Sequence, residues 1–372
     1  MGVLEGIESK YIDVPRLRFH VLTRAVREGG TVREGGTVGG RAAARLCGPA
    51  GAGEPVMFLH GNASSSTFWE EVILALPPRY LPIAPDMRGY GLSEVKPIDA
   101  TRGVRDWSDD IDELASAMGF DRFHVVGWSL GGGVAMQCLI DHPDQVMSLT
   151  LVAPVSPYGF SGVRGCDGQP CFPDYAGSGA GGVTPDFPRL VKEKAREGGD
   201  NPMLPRNVLN MSYWKPPFRA AREEDFLTSL LSTAIGEWNY PGDFTPSPNW
   251  PGFAPGPKGA LNAFSSKYFR TDGIVDVWPK PPILWVRGAD DQIVSDTSFW
   301  DIGTLGRIGL VPGWPGDDVF PPQPMIGQTR AVLDEYRRRG GECREIVFAD
   351  CGHSPHVEKR EEFVEALLAH IG

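Results

Sequence analysis

Residues 124–133, HVVGWSLGGG, decide the fold. The β-branched pair Val125-Val126 predicts a buried strand that runs straight into Gly127-Trp128-Ser129-Leu130-Gly131. Small and apolar positions then recur at helical spacing through Ala135, Met136 and Leu139. This is G-x-S-x-G where a strand turns sharply into a helix, a setting that strains the serine backbone and lifts its hydroxyl clear of the sheet. Gly127 and Gly131 are needed because a Cβ at either place would collide with the neighbouring strand or helix. The bland alternative is a glycine-rich turn that happens to hold a serine. The flanking strand and helix, and companion motifs elsewhere in the chain, favour a nucleophile.

Those companions follow in a fixed order. Val56–Leu59 reads as a strand ending in His60-Gly61-Asn62, and Leu81–Ala84 as a strand leading into PDMRGYGLS at 85–93. Far downstream, Pro282–Val286 runs into Arg287-Gly288-Ala289-Asp290-Asp291, and Ile346–Phe348 leads to Cys351-Gly352-His353-Ser354-Pro355-His356. With these motifs the chain resembles the α/β-hydrolase superfamily, specifically its lid-bearing, esterase-like branch, which has the same order of serine, acid and histidine. The resemblance runs through residues 54–153 and 281–372. It implies an α/β fold, a doubly wound, mostly parallel sheet with an inserted helical lid. Residues 1–153 and 281–372 would form the core and 154–280 the lid.

Composition narrows the function. The 372-residue chain carries a net charge of −11 and no Lys/Arg block, which argues against nucleic-acid binding. No apolar run reaches membrane-spanning length, and MGVLEGIESK lacks a basic stretch followed by an apolar one. Gly6 stands where a myristoylation signal wants Ser or Thr. A soluble, cytoplasmic protein acting on a small, partly apolar substrate is the expectation. The six cysteines show no metal-type spacing, and Cys166 and Cys171, near enough to close a short loop, read as a reduced pair.

Residues 7–25 alternate as two strands around Pro15-Arg16, and REGGTV at 27–32 repeats at once at 33–38, which reads as an expanded surface loop. Thr67-Phe68-Trp69-Glu70 fits a capping box. The helix over 104–119 is expected to turn Asp109, Asp110 and Asp112 to solvent. In the insertion, helices are expected near 186–197, 203–213 and 221–237. A second insertion, Pro/Gly-rich from Trp300 to Pro324, precedes a helix at 328–339.

A serine hydroxyl needs a base within reach and a carboxylate to orient that base. Of the seven histidines, His353 lies on the loop after the last strand. His20 and His124 fall in strand patterns, His142 ends a helix, His370 is terminal, and His356 opens the final helix. Both Asp290 and Asp291 could orient the base. In related chains the acid stands three places after the strand-ending glycine, which implies Asp291. Two donors should hold the developing oxyanion, the backbone N–H of Leu130 and that of Asn62, with Ala63 as second choice for the latter. Asn62 resembles the halide-contacting residue of haloalkane dehalogenases. Those enzymes and epoxide hydrolases use an aspartate nucleophile, so Ser129 argues against both activities. His60 reads as a brace for its loop, and Asp86, Arg88 and Ser93 as a structural turn. Trp128 is expected on the floor beneath the lid, and Trp214, Trp238, Tyr240 and Trp250 either line a pocket or pack the lid. The expected activity is hydrolysis of a carboxylic ester or lactone through an acyl-enzyme, with no metal or organic cofactor. The rivals are an amidase or aminopeptidase holding a substrate amine on Glu223, Glu224 or Asp225, a carbon–carbon bond hydrolase, and a non-catalytic, receptor-like member of the fold.

Overall fold

Unbroken apolar runs build the centre of the sheet. A computed structural model describes residues 2–25 and 53–372; the REGGTV repeat and Cys47 lie outside the described residues. Strands β1 (Ile7–Asp13) and β2 (Arg18–Arg24) form an antiparallel hairpin. They are followed by β3 (Glu54–Leu59), β4 (Tyr80–Pro85), β5 (Phe123–Trp128), β6 (Val146–Val152), β7 (Ile283–Gly288) and β8 (Cys343–Phe348). The order across the sheet is β1-β2-β4-β3-β5-β6-β7-β8, and β2 alone runs against its neighbours. Every residue of β5 is buried, as expected of a parallel strand covered on both faces.

Alternate strand residues feed two cores. Met57, Leu59 and Val125 pack with helices α1 (Arg105–Ala117) and α2 (Leu130–Asp141) on one face. Val56, Phe58 and Val126 pack on the other face, against the helix at Glu70–Ala75 and the terminal helix Arg360–Ile371. Because β3, β5, β7 and β8 are parallel, their C-terminal ends open on one edge. The order reverses around β3, so the loops that follow β3 and β5 face each other at the crevice where such sheets place ligands.

The insertion at 154–280 packs into both cores. Its first and last parts (Val155, Val163, Phe264, Phe269) join the α1/α2 side, and its middle (Phe187, Val208, Phe226, Leu230) joins the other. The three helices predicted in it, at Asp186–Lys192, Pro205–Val208 and Glu223–Leu231, are shorter than expected, and a π turn at Leu209–Tyr213 continues the second. The second insertion docks on the first near both of its ends. Ser161 Oγ donates to Asp301 at 2.9 Å, Gln323 Nε2 donates to the Gly159 carbonyl at 3.0 Å, and Trp250 Nε1 donates to Pro312 O at 2.9 Å. Among the described residues, no helix is long and apolar enough to cross a membrane.

Two local expectations are corrected. Ser65, rather than Thr67, caps the turn at Ser66–Trp69, and Glu70 accepts from Leu4 N and Arg222 instead of closing a capping box. Asp110 does not face solvent. It is 1% exposed and holds Arg88, itself 7% exposed, through two hydrogen bonds of 2.7 Å, while Arg16 adds a third at 2.9 Å. Asp110 lies on the buried side of the helix with Trp107, Ile111 and Leu114, and its partner sits on the distant loop after β4. Removing the acid strands a buried guanidinium, so Asp110→Ala should cost about 3–5 kcal/mol in denaturant unfolding. The paired change Arg88→Met/Asp110→Leu should recover much of that loss. Equal losses in the two variants would dismiss the ion pair as the cause.

Candidate active site

Ser129 joins β5 to α2 with φ 56° and ψ −118°, a conformation that costs an L-residue on the order of 1–3 kcal/mol. Close backbone contact holds it there. A Cβ on Gly127 would lie 2.2 Å from the Gly131 carbonyl oxygen, and one on Gly131 would lie 2.4 Å from that of Leu59. Ser129 N–H donates to Val152 O at 2.9 Å, and Ser129 O accepts from Val155 N at 3.1 Å. The side chain is partly exposed, and its hydroxyl has no hydrogen-bond partner among the described residues. The N–H of Leu130 opens α2 without an acceptor among the described residues, at the positive end of that helix.

The loops after β7 and β8 bring Asp291 and His353 together. His353 Nδ1 donates to Asp291 Oδ2 at 2.8 Å, and Asp291 Oδ1 accepts from the N–H groups of Ile293 and Val294 at 2.8 and 3.0 Å. A carboxylate only accepts, so the proton of neutral His353 sits on Nδ1 and Nε2 keeps its lone pair. Asp290 points elsewhere, to Lys215 Nζ at 3.0 Å, with its side chain 40% exposed. Trp128 Nε1 donates to the His353 carbonyl at 2.8 Å, which ties the histidine loop to the residue preceding Ser129. His356 is buried, stacked on Trp69 at 4.3 Å between centroids and edge-on to Trp128 at 4.8 Å. Burial, reinforced by nearby His353, pushes its pKa well below the ordinary histidine value.

The loop His60–Ser64 lies against the elbow, where a Cβ on Gly61 would sit 3.2 Å from Ser129 Cβ. His60 Nε2 accepts from Met87 N at 2.9 Å, which leaves Nδ1–H to donate to Gly61 O at 2.8 Å. Ser64 Oγ donates to the same carbonyl at 2.7 Å. In a trans peptide the N–H points opposite the C=O, so fixing Gly61 O fixes the direction of the Asn62 N–H. That N–H has no acceptor among the described residues. Burial lowers the His60 pKa to about 4, so the ring stays neutral and acts as the brace expected of it.

The tryptophans considered for the substrate differ in their surroundings. Trp128 and Trp214 are each 1% exposed. The Trp128 ring is taken up by Phe68, Tyr213, His353 and His356, and the Trp214 ring by Phe218 and Phe226, with its N–H on Asn210 Oδ1 at 3.1 Å. Trp238 is 42% exposed on the surface, with Lys258 Nζ 4.7 Å from its ring centroid. Sequence reasoning passed over Tyr90, whose hydroxyl donates to Asn62 Oδ1 at 2.8 Å, and Tyr213, which donates to the Asn62 and Ala63 carbonyls. It also passed over Glu358, which accepts from Gly352 N and Lys215 N, both at 2.8 Å. Their partners are remote in sequence, and no local pattern marks them. Among the described residues, no group of three His, Cys, Asp or Glu side chains is placed to hold a metal ion.

A sequence model described as the alpha/beta hydrolase family matches residues 56–366, and the chain belongs to that family. A fluoroacetate dehalogenase from Burkholderia sp. is 34% identical over 116 residues, 30% of this chain and 38% of the relative. A 2-hydroxymuconate semialdehyde hydrolase from Pseudomonas sp. (strain CF600) is 37% identical over 105 residues, 27% of this chain and 37% of the relative. The chain therefore spans little more than a third of the length of these curated relatives. An esterase from Exiguobacterium antarcticum superposes with a TM-score of 0.55 at 15% identity, covering 98% of this chain and 99% of that one, a likeness of fold.

Two outcomes follow from this geometry. Asp291→Asn should lower kcat about 10⁴-fold by putting His353 in the wrong tautomer. Asp290→Asn should change it less than about threefold, since an exposed ion pair contributes little. Equal losses would undo the assignment of the acid. The second outcome concerns acid stability. With folded pKa values depressed at His60 and His356, the unfolded chain takes up protons the folded chain refuses as pH falls from 6.5 toward about 4. Stability should be full above that window and decline through it. His356→Phe removes one such group from a slot where neither ring nitrogen has a partner, so it should flatten the decline without lowering Tm at neutral pH. An unchanged acid slope would clear His356 of any part in it.

Proposed function

We propose that the chain is a serine hydrolase that cleaves a carboxylic ester, or a near relative such as a lactone, through an acyl-enzyme. The observation that carries this reading is a serine, not a carboxylate, on the strained elbow at 129. Attack by a carboxylate on a carbon–halogen bond or an epoxide gives an ester that water can hydrolyse. The same attack by a serine hydroxyl gives an ether, which the site could not release. Attack on a carbonyl gives an acyl-serine ester, which water does cleave. The nucleophile atom thus favours carbonyl chemistry over that named for the dehalogenase relative.

In the proposed route, Ser129 Oγ bonds to the carbonyl carbon as His353 Nε2 takes its proton, and Asp291 stabilises the imidazolium through Nδ1–H. The Leu130 and Asn62 N–H groups hold the oxyanion. The alcohol leaves with the proton from His353; water, deprotonated by the same nitrogen, then attacks the acyl carbon, and the acid is released as that proton returns to Ser129 Oγ. No step calls for a metal or organic cofactor. The carboxylates considered for binding a substrate amine are already committed: Glu223 to Arg206, Glu224 to Arg206 and Arg196, and Asp225 to Arg222. That favours an ester over an amino-terminal peptide as substrate. The substrate is a small molecule, and the charge of −11 is unsuited to nucleic acid.

The purified chain should label with a fluorophosphonate and turn over p-nitrophenyl esters of graded acyl length. Ser129→Ala should abolish both, with a loss on the order of a million-fold in kcat. Residual turnover within about tenfold of wild type would remove Ser129 as nucleophile.

A further inference from the structure

Three consecutive residues of the insertion touch three of the loops that build the proposed site, those after β3, β7 and β8. The hydroxyl of Tyr213, which is 6% exposed, shares its one proton between the Asn62 and Ala63 carbonyls, each at 3.0 Å. Trp214 and Lys215 lie so close to the histidine loop that a Cβ on Gly352 would stand 2.7 Å from Trp214 C and 2.6 Å from Lys215 N. Lys215 N–H donates at 2.8 Å to Glu358, whose carboxylate also accepts from Gly352 N at 2.8 Å. Lys215 Nζ sits 3.0 Å from Asp290, the neighbour of the acid.

The contact of Tyr213 differs in kind from the other two. Within the core, His60 and Ser64 fix the Gly61 carbonyl and thereby the Asn62 N–H. The next two peptide units have their carbonyls held from outside the core by one phenol. Ala63 lies between them at φ 47°, a conformation that an alanine keeps only where its surroundings impose it. Without the hydroxyl, two carbonyls are released and the Ala63 backbone is free to relax toward negative φ. That movement would turn the Ala63 N–H and, through the Asn62 Cα that joins the two peptides, disturb the Asn62 N–H.

We propose that Tyr213 is a positioning residue, through which seating of the insertion on the core sets the oxyanion loop into its working geometry. The proposal rests on the serine-hydrolase reading. It makes the insertion a condition for transition-state stabilisation rather than a cover alone. Its cost should fall on the step in which charge develops on the carbonyl oxygen, and should be the same for short and long acyl groups. A residue that only packed the insertion would alter substrate binding or stability instead.

The test is Tyr213→Phe in the full chain, with p-nitrophenyl acetate and butyrate as substrates and an alkyl trifluoromethyl ketone as the tetrahedral oxyanion analogue. Loss of correct placement at one donor should lower kcat about tenfold or more and weaken the ketone by a similar factor. KM for both esters should stay within about twofold, because ground-state binding is untouched. Unchanged kcat and ketone affinity would overturn the proposal. So would a loss confined to KM and Tm with the ketone still bound as tightly. Should the phenylalanine variant not fold, 4-fluorophenylalanine at 213 fills the space of the hydroxyl without its proton, and kcat and ketone affinity identical to wild type would again overturn it. If Ser129→Ala retains ester turnover, the hydrolase reading itself fails. If Ser129→Ala is dead and Tyr213→Phe is not, only this inference fails.

Discussion

The approach of α2 to the strands beneath it is the constraint on which the site depends. With a Cβ at 127 or 131 placed 2.2 and 2.4 Å from carbonyl oxygens, no side chain fits at either position without moving the helix. Moving it would carry the Leu130 N–H away from the loop after β3, because the two are held apart only by the thickness of bare backbone. The same device recurs where the other loops meet. A Cβ on Gly288 would stand 2.1 Å from the Gly352 carbonyl, so the acid loop and the histidine loop also cross at backbone contact. Side chains then fix orientation within a frame that backbone packing has already made.

That distinction explains why Ser129 beside the His353–Asp291 pair reads as a site and a fully hydrogen-bonded serine–histidine–aspartate chain elsewhere does not. Ser9 Oγ lies 2.8 Å from His20 Nε2, and His20 Nδ1 lies 2.7 Å from Asp86. The connectivity equals that of a triad. Yet Ser9 sits in a regular antiparallel ladder opposite Leu22, far from a strained turn or a helix start. Asp86 is committed further, to Ser66 through N–H and hydroxyl and to Leu92 N–H. Together with Ser93 Oγ on the Asp86 carbonyl, these bonds lock the turn after β4 to the β1–β2 hairpin. A nucleophile needs the elbow and the donors beside it as well as the relay.

How far the sequence could be read follows from the range of each interaction. Strands β3, β4, β5, β7 and β8 and the loops at their ends were legible because an apolar run ending in a glycine-bearing turn is a local pattern. The pairing of His353 with an aspartate, and the choice of residue 291, came from motif order and a family spacing. What was not legible depends on pairs far apart in the chain. Nothing near Asp110 signals Arg88, and nothing near Tyr213 signals Asn62. The insertion helices were read too long for a local reason. Lys194 at φ 57° follows the helix that stops at Lys192, and Gly198 and Gly199 come soon after, so the apolar period outlasts the helix. Tryptophans alone do not mark a pocket, because a large ring serves a core as well as it serves a ligand, and burial is settled only by the assembled neighbours.

The proposed oxyanion loop shows how those long-range contacts and the local motif combine. Its donors must point correctly before charge develops, since a group that reorients during the reaction gives back in reorganisation what it gains in attraction. Met87 N–H occupies His60 Nε2 and so fixes the tautomer that grips Gly61 O. His60 therefore transmits the position of the turn after β4 to the peptide of Asn62. Burial keeps the ring neutral, which preserves Nε2 as an acceptor and so preserves the grip. The motif His60-Gly61-Asn62 is thus local in sequence, while its working geometry is borrowed from β4 below and from the insertion above. A glycine at 61 lets that loop rest on the Ser129 Cβ, and the histidine before it makes the resting place rigid.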